Sequence, residues 1–108
     1  MSEFYELIEK IKANPSLYLG RRSLIALKAF LIGYSYARQE LGLELTEAEH
    51  EFEEFKKMVQ GLGNLKTDKS WDKIILLYSS DDVKALEKFF ALYKDFCLDK
   101  NKESSSQI

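Results

Sequence analysis

Few side chains in this chain are able to do chemistry. There is one histidine, His50, and one cysteine, Cys97. His50 stands in ELTEAEHEFEE, residues 44–54, with Glu47, Glu51 and Glu54, and an imidazole among carboxylates can in principle hold a metal. A Glu-x-x-His pair from a second helix, of the kind di-iron bundles use, is missing. No metal site is therefore assigned, and His50 reads as a solvated surface residue. Cys97 falls on an apolar stripe, with no activating partner that the sequence can point to. It reads as a buried structural thiol. No glycine-rich phosphate loop, zinc spacing or nucleophile elbow occurs. The expectation is a protein that is not an enzyme and carries no cofactor.

Two clusters are better suited to binding than to reaction. Segment 44–54 holds six glutamates and no Lys or Arg, while the rest of the chain has sixteen basic and twelve acidic residues. Glu47, Glu51 and Glu54 follow i, i+4, i+7 spacing, where like charges repel along a helix. One reading is a solvated face whose early glutamates suit the helix dipole. The other is a partner-binding surface of Glu47, His50, Glu51 and Glu54, complementary to a basic protein. The second cluster is NPSLYLGRRS, residues 14–23, which contains the only proline. Gly20 permits a left-handed turn, and Arg21 and Arg22 precede Ser23 at a helix start, a ready anion site. The alternatives are that both arginines pair with the glutamates of 44–54, or that the stretch is a structural turn with Tyr18 and Leu19 in the core. Tyr18, Arg21, Arg22 and Ser23 are thus a candidate anion site or second partner contact, and the alternative function is a small-anion or nucleotide-binding regulatory domain using Arg21, Arg22 and this helix start.

Helices must position these clusters. Phe4, Leu7, Ile8 and Ile11 give a helical repeat that Asn14-Pro15 ends. Ser23 is the expected cap of a second helix running to Gly42. Apolar residues cover most of its circumference, which predicts a central helix. Gly33 in its middle predicts a close helix crossing, because glycine there otherwise costs about 1 kcal/mol. Thr46 and Glu49 form a capping box for a third helix with the stripe Ala48, Phe52, Phe55, Val59 and Leu62. Residues 61–69 read as a loop. SWDKIILLYS is either strand or helix by its apolar run, and helix is expected because no second strand exists to pair with it. Ser79 or Ser80 is the expected cap of a last helix whose apolar face runs from Val83 to Cys97.

The fold expected is therefore all-α, a compact single-domain bundle of about five helices over residues 1–98, followed by a flexible polar tail at 99–108. A length of 108 residues suits one domain, and 45% hydrophobic residues supply its core. No basic stripe of the kind nucleic acid needs is found, and no apolar run is long enough to span a bilayer. One cysteine and no leader pattern point to the cytoplasm. A monomer or weak homodimer is expected.

NPSLYLG is similar over about seven residues to a stretch of type II topoisomerase ATPase domains, but the nucleotide-holding helix that follows there has no counterpart here. A broader likeness joins NPSLYLGRRSLIALKAFLIGY, FEEF, SWDKIILLYS and ALEKFFALYKDF. With its P-x-x-Y-L-G-x-x-S-L pattern, the chain resembles a group of small bacterial helical proteins associated with polymorphic-toxin immunity. The resemblance covers residues 5–97. It implies a cytoplasmic protein that binds and neutralises a toxin, possessing no catalytic residue.

Overall fold

A computed structural model describes residues 3–62 and 69–106. It is all-α: α1 Glu3–Ala13, α2 Pro15–Leu19, α3 Leu24–Glu40, α4 Glu47–Leu62, α5 Trp71–Leu77 and α6 Asp82–Ser106. Five of these match the expected helices, and WDKIILL within SWDKIILLYS is helical. The sixth, α2, forms where a turn is expected. Pro15 at its first position needs no N–H, and Gly20 ends it at φ 79°, donating to the Ser16 carbonyl at 2.9 Å. α6 continues as helix past residue 98 to Ser106. Residues 63–68 of the expected loop, and the last two of the expected tail, lie outside the described residues.

α6 packs across α3 and α5, while α4 packs on α5 and α1. Aromatic rings fill the space between them. Phe52 meets Phe4, Phe55, Trp71, Phe89 and Tyr93 with centroids 5.2–6.3 Å apart. Phe55 meets Phe89, Tyr93 and Phe96. Several of these pairs are edge-on, the arrangement ring quadrupoles favour, at about 0.5–1.5 kcal/mol each beyond burial. The helical spacing of the phenylalanines thus makes one continuous core.

α3 differs from expectation in two ways. Leu24, Leu27 and Leu31 are buried, but Ile25, Ile32 and Tyr36 are exposed, so the helix is one-sided rather than central. Gly33 is exposed, and a Cβ built there meets nothing within 4 Å, so no helix among the described residues crosses at it. Leu62 and Val83, expected on core stripes, are also exposed. The α6 cap is neither Ser79 nor Ser80. Asp81 accepts from the Lys84 N–H at 2.8 Å, while the Ser79 hydroxyl donates to the Ile75 carbonyl.

Candidate partner-binding site

The start of α3 is built as expected and used differently. Ser23 caps it, accepting from the Ala26 N–H at 3.0 Å. Its hydroxyl donates to Asp82, whose other oxygen accepts from the N–H groups of Leu24 at 2.8 Å and Ile25 at 3.2 Å. The donors that an external anion would need at this helix end are already held by a carboxylate of the chain itself. Arg21 and Arg22 are exposed and make no ion pair among the described residues, so the pairing with the glutamates of 44–54 does not occur. Tyr18 and Leu19 pack half-buried against the core. Tyr18, Arg21, Arg22 and Ser23 therefore do not converge on one site.

The acidic segment divides in the same way. Glu49 is 6% exposed. It completes the capping box with the Thr46 N–H and hydroxyl and pairs with Arg38 at 3.0 Å. Glu53 pairs with Lys56 at 2.8 Å, and Glu54 pairs with Lys100 at 2.5 Å. These three carboxylates are neutralised within the molecule, contrary to the expected bare acidic row. Glu51 is half-buried on the side facing Tyr93 and Cys97, while Glu47 and His50 are exposed.

Cys97 is half-buried rather than fully enclosed. Burial pushes its thiol up, the Tyr93 hydroxyl opposes this, and the carboxylates of Glu51 and Glu9 add to the rise. Burial also raises Tyr93. A protonated thiol facing carboxylates is not an activated nucleophile. Among the described residues no three His, Cys, Asp or Glu side chains stand together as metal ligands.

The connection between α3 and α4 holds the feature that the sequence did not announce. α3 closes with a Schellman motif: Gly42, at φ 74°, donates to Gln39, and Leu43 donates to Arg38. Arg38 also donates to the Glu44 carbonyl at 3.1 Å while it holds Glu49. The backbone of this corner is thereby fixed, yet its leucines face outward. Leu41, Leu43 and Leu45 are 75%, 49% and 51% exposed. Around them Glu40, Glu44 and Glu47 make no ion pair among the described residues.

The apolar surface continues along α3 through Tyr36, Ile32 and Ile25, spaced four and seven residues apart on one face. Tyr36 and Leu45 also rim a groove of about 440 Å³ between α3 and α4, floored by Phe4, Leu31, Phe52 and Trp71. Lys28 lies at its edge, bound to Asp72 at 3.0 Å. Burial alone would raise the Asp72 carboxyl, but the Ser70 hydroxyl and the Lys28 ammonium hold it below its usual range.

The corner thus combines exposed apolar side chains, carboxylates without an ion pair among the described residues, and a fixed backbone. Exposed apolar side chains beside exposed carboxylates, on a backbone held by hydrogen bonds, are features that binding surfaces commonly combine. The sequence signal for it is small: three leucines at i, i+2, i+4 outside any helical repeat. No family model, curated protein or solved structure matches the chain.

Proposed function

We propose that this protein is a non-enzymatic binding protein, an immunity-type inhibitor of a bacterial toxin, and that the α3–α4 corner is its contact surface. One observation carries the reading: Leu41, Leu43 and Leu45 are exposed on a hydrogen-bonded corner beside Glu40, Glu44 and Glu47, which make no ion pair among the described residues. Exposed leucines on a fixed backbone supply anchors that bind without a backbone-ordering cost, leaving only side-chain rotamers to be fixed. Unpaired glutamates select a basic partner and speed its approach. His50 is exposed further along α4, Glu51 faces Tyr93 and Cys97 instead, and Glu54 is already paired with Lys100.

The partner is a basic toxin domain that presents apolar side chains between its cations. The site of action is the cytoplasm, which suits a lone thiol without a disulfide. No described helix is long and apolar enough to cross a membrane.

The test is growth rescue. The product of the neighbouring gene is expressed in a test bacterium with and without this protein. Killing by the neighbour alone and growth with both support the proposal. A harmless neighbour, or killing that this protein does not relieve, removes it. In a rescuing pair, Glu40→Gln, Glu44→Gln and Glu47→Gln together slow association and flatten its dependence on salt.

A further inference from the structure

The arginines of LGRRS have no role in the corner, and one of them leads to a second concavity. Arg22 lies on the rim of a groove of about 380 Å³ between the α1–α3 segment and the outer face of α6. Pro15, Leu86 and Phe90, all buried, form its floor, and Val83 and Ala91 extend it toward solvent. Two more cations share the rim: Lys12 at the end of α1 and Lys94 on α6. None of the three makes an ion pair among the described residues. The one acid in the lining, Glu87, pairs with Lys84 at 3.4 Å.

We propose that this groove binds a small organic anion with an apolar body, a carboxylate or sulfonate carried on an aromatic or aliphatic frame. Three unmatched cations over an apolar floor fix the sign of the ligand's charge and require that the remainder be apolar. Charge alone does not suffice, because exposed ammonium and guanidinium groups hold a bare ion weakly in water. The floor is preformed: Pro15 begins a helix locked by Gly20, and Phe90 stacks edge-on against Phe89 at 5.2 Å. The volume lies at the small end of ligand pockets, which fits a naphthyl or decanoyl body rather than a folded partner. The site is separate from the corner, and either reading can fail without the other.

The experiment is an amide NMR titration of the full chain with naphthalenesulfonate, decanoate, neutral naphthalenemethanol and inorganic phosphate. Saturable shifts confined to Lys12, Arg22 and the 83–94 stretch of α6 are expected for the first two probes. Naphthalenemethanol binds more weakly, and phosphate gives no saturation. Arg22→Gln with Lys94→Gln weakens naphthalenesulfonate about tenfold. Ala91→Glu, which places a carboxylate on the exposed floor without touching the core, abolishes it. Shifts that map to the α3–α4 groove overturn the proposal, as do absent binding, binding indifferent to both variants, and phosphate binding as tight as naphthalenesulfonate.

Discussion

The two ends of α3 carry the same kinds of residue and treat them oppositely. At the start, Leu24 is fully buried and Asp82 satisfies the backbone donors above it. At the end, Leu41 is left in solvent, and the neighbouring Glu40 and Glu44 pair with no cation among the described residues. The backbone is closed at both ends, by Ser23 and Asp82 at one and by a Schellman motif at the other. The difference therefore lies in the side chains. Where a carboxylate is enclosed and partnered it holds the fold, and where it is exposed and unpartnered it is free for another molecule. Glu49 and Glu47, two positions apart, repeat the contrast within α4.

Breaking the enclosed set has the largest effect. Glu49→Ala leaves Arg38, only 16% exposed, without its carboxylate and removes half of a capping box. Denaturant unfolding should show a loss of about 3 kcal/mol, whereas Glu47→Ala should change stability by less than about 0.5 kcal/mol. Asp82→Ala frees the Leu24 and Ile25 donors and should cost about 2 kcal/mol. Ser23→Ala with Asp82→Ala should cost less than the sum of the two alone, because both residues serve one helix end.

The Lys28–Asp72 pair gives an acid-dependent effect. The folded carboxyl is held below its ordinary value of 3.8, so its stabilisation is complete above that pH and is lost as pH falls through the lower folded value. Asp72→Asn should flatten the decline of stability in that window, as read by unfolding at a series of pH values. The smallest effect has the opposite sign. Gly33→Ala should stabilise by about 0.5–1 kcal/mol, because helical glycine is costly and the added methyl has open space.

Much of the fold is legible in residue spacing. The repeats beginning at Phe4, Ala48 and Val83 mark core faces except at the exposed Leu62 and Val83, and Thr46-x-x-Glu49 marks its own cap. The misreadings have a common cause. Asp82 stands in the first turn of its own helix, yet it serves a helix whose cap lies 59 positions back, and no local pattern records that. Arg38 and Lys100 neutralise Glu49 and Glu54 from other helices, so a segment that reads as bare negative charge is half balanced in three dimensions. Ile25, Ile32 and Tyr36 are as apolar as the buried leucines of α3, and only the placement of α5 and α6 decides which face is covered. Local signals set helices and caps; cross-helix pairs and uncovered faces require the assembled bundle.

The central claim is that the exposed corner, and not the enclosed set, recognises a partner. Its most direct test is the affinity of the toxin from the rescue assay for the wild-type chain and for Leu41→Ser/Leu43→Ser/Leu45→Ser, measured by calorimetry beside a thermal melt of each free chain. The account predicts a melting temperature within about a degree of wild type and a loss of affinity of about a hundredfold. Unchanged affinity in the triple variant contradicts it.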